Sequence, residues 1–251
     1  MKKIRYVFVL LLVIGFFSCG QGMNSTLQPD DPSTEENTKI DVSYSTYKRY
    51  VDEGVLGEGV SYDVWKTLVE ESYELEKKLF NSDEFDKVYS SEDGISTEDF
   101  TLKSGDVLIT NGTSLAGFLG HAGIATSDTT VLHISGAKNE PPKTITFSDW
   151  HSTYSYKNEK SWTEVYRRKD RKIAYDAATW AVSTYAYSNA KYEITPDLKS
   201  TDVTYCSKIV WQAYYFGPSS HEADETISGI VTPRELSSTI HKLNLKKTFR
   251  K

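Results

Sequence analysis

Gly120-His121-Ala122-Gly123-Ile124-Ala125-Thr126 and Val131-Leu132-His133-Ile134-Ser135 read as two consecutive short strands, each carrying a histidine. Side chains alternate faces along a strand. His121, Gly123 and Ala125 therefore share one face of the first strand, and Val131, His133 and Ser135 share one face of the second. Both imidazoles point the same way only if the connecting loop has an odd number of residues. A three-residue loop at 127–129 pairs Gly123 with His133 and His121 with Ser135. The two rings are then diagonal neighbours within reach of each other. Such a pair supplies a base, His121, and an orienting partner, His133, whose hydrogen bond fixes the tautomer of the first.

A base needs a nucleophile to deprotonate. Cys206 opens a predicted helix, Tyr205-Cys206-Ser207-Lys208-Ile209-Val210-Trp211. Helical spacing puts Cys206, Ile209, Val210 and Ala213 on one face and turns Ser207 and Lys208 away from it. Free backbone N–H groups at a helix N-terminus favour negative charge, so the expected effect is a lowered thiol pKa and part of an oxyanion hole. The plainer readings are a small buried apolar cysteine and histidines satisfied within a core or at a surface. The histidine spacings fit no HExxH or paired-cysteine pattern, so no metal and no cofactor is expected.

Outward from these segments, residues 106–110 read as an apolar strand and 111–119 as a loop. Residues 143–147 and 162–168 supply two more strands, the last with period-two alternation. The Ala-rich stretch 173–187 is a helix of the kind that packs closely on a sheet. Residues 188–204 read as a loop, and a tail with Pro218 and Pro233 follows the Cys206 helix. Residues 40–98 read as a charged helical extension, with Trp65, Leu68, Val69 and Tyr73 near helical spacing and Glu70 and Glu74 outside that stripe. Gly54, Gly57 and Gly59 suggest a flexible break within it. A cap over a groove, a spacer and a dimer contact all remain open for the extension. The main domain is expected to span 99–251.

The N-terminus carries a different signal. Met1-Lys2-Lys3-Ile4-Arg5 is basic, and residues 6–17 are an apolar run of 12 residues. A membrane-spanning helix takes ~20 residues, so this run reads as a secretory signal at 1–18. Phe16-Phe17-Ser18-Cys19-Gly20 resembles a bacterial lipobox, with Phe16 where Leu is usual. Cys19 is the expected lipidation site, and 19–39 a flexible tether to the membrane. The other reading is an ordinary cleaved signal followed by an incidental cysteine. If Cys19 is consumed, Cys206 is the lone thiol of an exported protein, and nucleophilic catalysis is the leading reason to keep it.

Composition agrees with one sizeable core: 251 residues, 38% hydrophobic and 13% aromatic. There are 17 Tyr against 10 Phe, a balance that suits rings buried with their hydroxyls at wet grooves. Net charge is −6, and loss of Lys2, Lys3 and Arg5 with the signal makes the mature chain more acidic still. That argues against a nucleic-acid partner.

Four segments in order carry a family resemblance. They are Lys103-Ser104-Gly105-Asp106-Val107-Leu108-Ile109, Gly120 to Ala125, Val131 to Gly136, and Tyr205 to Trp211. Together they resemble the circularly permuted NlpC/P60 cysteine hydrolases of the YiiX/YebB-like branch, in which histidine and its polar partner precede the cysteine. His133 stands where relatives often carry Glu. The resemblance covers about residues 100–235 and implies an α+β, papain-like fold, with a small antiparallel sheet packed against a nucleophile-bearing helix. It also implies a Cys206-His121-His133 triad acting through a thioester, with Tyr192 and Tyr205 as substrate-binding residues. The expected activity is an envelope-anchored amidase or peptidase, with peptidoglycan stem peptide as the substrate class implied by the family. The alternatives are a lipid acyl hydrolase or acyltransferase using the same thiol, with Leu115, Phe118 and Leu119 as an apolar lip, and a non-catalytic envelope binding module.

Overall fold

The computed structural model describes residues 40–80, 100–137 and 139–250. The expected signal peptide at 1–18, Cys19, the tether at 19–39 and the end of the extension fall outside the described residues. In chain order the elements are α1 (Tyr44–Asp52), α2 (Tyr62–Phe80), β1 (Val107–Leu115), β2 (Phe118–Ala125), β3 (Thr130–His133), β4 (Lys143–Thr146) and α3 (Phe147–Trp150). One turn of π-helix (His151–Ser155) extends α3. Then come β5 (Trp162–Arg168), α4 (Arg171–Tyr185), β6 (Lys191–Tyr192), β7 (Val203–Thr204), α5 (Cys206–Phe216), α6 (Leu236–Thr239) and β8 (Leu243–Arg250).

The fold is α+β. Six strands form one antiparallel sheet in the order β4-β3-β2-β1-β5-β8. Strand alternation divides its side chains between two layers. Val107, Ile109, Ala122, Ile124 and Leu132 face α4 and α5, where Ala177, Ala178 and Ala181 let α4 approach closely. Leu108, Ala125, Val131 and Val165 face the opposite layer, with Trp150, Tyr154 and Phe249. α5, the helix that opens with Cys206, packs on the first face.

Three stretches differ from their sequence readings. Residues 111–119, read as a loop, continue β1 into a hairpin with β2 that turns at Ala116 and Gly117, both with positive φ. The loop at 188–204 holds a short parallel pair, β6 with β7. The proline-bearing tail ends in α6 and in β8, which pairs along the whole of β5.

The helical extension shares the core of the sheet. Leu56, Val60, Trp65, Leu68 and Val69 are buried in the same cluster as Ile124 and Val210. The Trp65 indole N–H donates to the Ala116 carbonyl at the β1–β2 turn, 2.7 Å away. The glycine-bearing run at 53–59, read as a flexible break, is a docked turn. Gly57 N–H donates to the Ile194 carbonyl at 2.8 Å, and Ile194 N–H to the Val55 carbonyl at 2.9 Å.

α5 also departs from a simple amphipathic reading, because every residue from Cys206 to Tyr214 is buried. Ser207 and Lys208, expected to point away from the Cys206 face, are themselves buried and bond to the 203 and 231 backbone. A buried polar group needs a partner, and each has one. Ser207 Oγ donates to the Val231 carbonyl at 2.7 Å, Lys208 Nζ to the Val203 carbonyl at 3.0 Å, and Gln212 Nε2 to the Leu198 carbonyl at 2.7 Å.

Candidate active site

β2 pairs with β3 through Ile124↔Leu132 and Ala125↔Val131, the register set by a three-residue loop. Continued to the mouth of the hairpin, that register makes His121 and His133 diagonal neighbours. Their rings meet edge-on, with His121 Nε2 2.9 Å from His133 Nδ1. His121 Nδ1 makes no hydrogen bond among the described residues, which leaves it as the nitrogen free to take a proton. His133 Nε2 is buried without a partner among them. Burial pushes the His121 pKa well below the ordinary histidine range, with the charge of His133 adding to the effect. Burial, with Lys143 nearby, lowers His133 to about 4. Both rings are neutral at pH 7.

The pair rests on a platform absent from the sequence reading. Trp150 stacks on His121 with centroids 5.4 Å apart, and the Tyr154 ring lies 4.8 Å from His121. The Trp150 indole N–H donates to Thr163 Oγ1 at 3.1 Å. Gly123, between the two histidines on this face, makes room for it: a Cβ there would lie 2.8 Å from the Trp150 ring. The platform had a signal, since Phe147, Trp150, His151 and Tyr154 follow the i, i+3, i+4, i+7 spacing of a helical apolar stripe.

Cys206 is the first residue of α5. Tyr205 caps the helix in an extended conformation with no side-chain hydrogen bond, so the first N–H groups of the helix are not taken by a capping side chain. Backbone N–H groups of Ala122 and Ser207 approach the sulfur and pull the thiol pKa down, but burial outweighs them and the net shift is upward. The expected lowering of the thiol pKa is therefore not found in this resting arrangement. Because the cost of desolvating a thiolate exceeds what these N–H groups return, Cys206 rests as a neutral thiol. The Ala122 contact sets the sulfur against the backbone of β2, one residue from His121.

Cys206 opens onto a small cleft of about 20 Å³, lined mainly by Phe118, Tyr192, Ile194, Ile230, Val231 and Pro233. Tyr192 and Tyr205 both reach this cleft. The Tyr192 hydroxyl faces the Cys206 sulfur, and burial followed by the thiolate charge keeps it protonated. The Tyr205 hydroxyl accepts from Val231 N–H at 3.2 Å, which ties the cleft wall to the helix cap. Of the lip residues, Phe118 is buried in this wall.

Asp106, in the Gly-Asp motif, serves structure. It is fully buried and clamped by Arg167 through two contacts, 2.8 Å to Nε and 2.6 Å to Nη2.

The family model described as lipoprotein N-acylation protein LnsA-like matches residues 70–249. The chain belongs to this LnsA-like family. The LnsA-like region begins inside α2, runs into β8, and contains His121, His133, Tyr192 and Cys206. A Bacillus thuringiensis protein described as an uncharacterized 30.3 kDa protein is 38% identical over 161 residues, 60% of this chain and 58% of that protein. The chain thus matches less than two thirds of that relative's length. The crystal structure of metalloprotein YiiX from Escherichia coli O157:H7 is 13% identical and covers 61% of this chain and 100% of its own, with a TM-score of 0.44.

Proposed function

We propose that this LnsA-like protein is a thiol-dependent acyl-transfer enzyme of the bacterial envelope, exported and anchored through Cys19. Cys206 takes a fatty acyl group from an ester-linked lipid and passes it to an amine, as the family's lipoprotein N-acylation description implies. His121 Nδ1 removes the thiol proton as Sγ attacks the ester carbonyl carbon. The tetrahedral intermediate collapses, the ester C–O bond breaks, and the alkoxide leaves with the proton held by His121. The acceptor amine then attacks the Cys206 thioester, loses a proton through His121, and the free thiol returns. His133 holds His121 in the tautomer that leaves Nδ1 unprotonated. With both histidines and the thiol neutral at rest, His121 acts as a general base and not as half of a standing ion pair.

The observation that carries this reading is the apolar wall beside the thiol. Phe118, Ile194, Ile230, Val231 and Pro233 give a carbon chain a surface on which to bury at about 25 cal/mol per Å². A peptidoglycan stem peptide, polar along its length, would lose water there and find few partners. The peptide amidase reading uses the same three residues but gains nothing from this lining.

The test is covalent. Full-length protein in detergent is incubated with a phospholipid, and intact mass is measured with and without hydroxylamine, which cleaves thioesters. The expected result is one fatty acyl adduct, lost with hydroxylamine and absent in Cys206→Ala. Cleavage of stem peptides with no acyl adduct from any lipid would overturn the acyl-transfer reading.

A further inference from the structure

We infer that a polar cavity beside the Cys206 cleft receives the amino group of the acyl acceptor, with the Glu76 carboxylate accepting a hydrogen bond and one proton from it. The inference rests on the acyl-transfer reading and gives the helical extension a part in it.

The inward stripe of α2 runs through Trp65, Val69, Ser72 and Glu76, at i, i+4, i+7 and i+11. The first three are buried, and the Glu76 side chain is 13% exposed. A carboxylate on an inward stripe is costly unless a cation pairs with it. Here the pairing is incomplete. Arg234 stacks on Trp162 and gives its close contact to Glu164, at 2.7 Å. It stands 3.7 Å from Glu76, beyond hydrogen-bond reach. Glu76 Oε1 accepts from Asn111 Nδ2 at 3.2 Å and from the Trp162 indole at 3.3 Å, both neutral donors at long range. Arg234 Nε is buried with no partner among the described residues. The carboxylate is thus held in place with no cation bonded to it at rest.

Glu76, Asn111, Trp162 and Arg234 line a cavity with room for one water-sized group, about 10 Å³. An ammonium group is of that size. The cavity lies on the sheet face that carries Cys206, because Ile109 and Trp162 of its wall share a core layer with that residue. Gly120 and Pro233 line both the cavity and the Cys206 cleft, so the two are neighbours across one wall. The wall is thinnest at Gly120. Its φ is +96°, and a Cβ there would lie 2.8 Å from the Thr110 carbonyl oxygen and 3.5 Å from the Pro233 side chain. Burial raises the Glu76 carboxyl above its ordinary value, with Arg234 opposing, which makes it a stronger base near neutral pH. An α-amino group has a pKa of about 8 and arrives as ammonium. Glu76 takes one proton from it, and the freed nitrogen lone pair attacks the thioester carbonyl carbon. A second proton passes through His121 to the Cys206 sulfur as the C–S bond breaks. Amide and free thiol result, and Glu76 returns its proton to water.

The test compares two fates of one thioester in full-length wild type and Glu76→Gln at pH 7. Cys206 is first acylated with a p-nitrophenyl fatty ester in detergent. The acyl-enzyme is then treated either with an S-diacylglyceryl-cysteinyl peptide bearing a free α-amine or with hydroxylamine, a nucleophile already neutral at this pH. Intact mass follows the loss of the acyl group. Glutamine keeps the volume of Glu76 and an oxygen for Asn111 and Trp162, but takes no proton. Transfer to the peptide is expected to slow about 100-fold, while deacylation by hydroxylamine changes less than about twofold. Equal transfer in both proteins overturns the inference, and so does an equal loss with both nucleophiles, which would make Glu76 a support for the fold. A wild-type acyl-enzyme that hydroxylamine cleaves but the peptide does not also overturns it, and leaves the thiol acylation standing. A wild-type thiol that takes no acyl group overturns the acyl-transfer reading itself, and this inference with it.

Discussion

His121 Nε2 and His133 Nδ1 lie 2.9 Å apart in a buried contact, so one proton sits between two rings and ties their tautomers together. When it belongs to His121, Nδ1 is a free lone pair able to accept the thiol proton, and His133 carries its own hydrogen on the partnerless Nε2. When it belongs to His133, the remaining His121 hydrogen is on Nδ1 and the base is lost. His133→Phe removes the acceptor that holds the productive form. Acylation of Cys206 should fall about 100-fold or more. His133→Asn keeps a polar atom near the same place and should lose less. Stopped-flow release of p-nitrophenolate measures both, and equal rates for the two variants would show that the contact does not select the tautomer.

The resting charges fix a pH profile. Burial raises the Cys206 thiol and lowers both histidines, so thiol and imidazoles are neutral at pH 7. Iodoacetamide should alkylate Cys206 more slowly than free cysteine at pH 7, and the rate should still be rising above pH 9. A plateau reached below pH 8 would reveal a thiolate–imidazolium pair and contradict the neutral resting state.

How much of this was legible in the sequence depends on whether the deciding contact is local. The His121–His133 relationship was legible, because period-two alternation and an odd loop length fix it without reference to the rest of the chain. The helix that starts at Cys206 was legible too. Its charge state was not, since the rise in thiol pKa comes from burial by segments far along the chain. The burial of Lys208 and Ser207 was not legible for the same reason: α5 lies enclosed, and their partners come from Val203 and Val231. The platform at 147–155 was overlooked amid its Ser, Asp and Thr, although its aromatic spacing marked it. β8 was overlooked because its apolar residues keep no single face: a bulge against β5 leaves Leu243 packed on one layer and Phe249 in the opposite one.

Stability should fall in mild acid, and the sign follows from the depressed histidines. Above the unfolded pKa of 6.5, both states hold His133 and His151 neutral and neither residue affects folding. Below it, the unfolded chain binds protons that the folded chain accepts only near 4. Each residue then withdraws up to about 3 kcal/mol between those limits, and His121, lowered well below the ordinary value, adds to the loss. Urea midpoints at pH 7 and pH 5 measure this. His151→Phe should flatten the dependence without touching the His121–His133 contact, and an unchanged midpoint between the two pH values would rule the mechanism out.

The extension should prove inseparable from the sheet domain. Trp65 is fully buried, packs among Tyr47, Tyr50 and Tyr62, and anchors the β1–β2 turn through its indole N–H to the Ala116 carbonyl. That turn leads through Phe118 of the cleft wall to His121, so the indole supports the strand that carries His121. Trp65→Ala opens a large void and orphans a buried carbonyl. The expected loss is about 3–5 kcal/mol of folding free energy, with slower acylation at temperatures where the variant is still folded. Trp65→Phe keeps most of the volume and removes only the donor, so it should cost about 1–3 kcal/mol. Chemical denaturation orders the three proteins. If Trp65→Ala were as stable as wild type, the extension would be a detachable appendage and the shared core would be disproved.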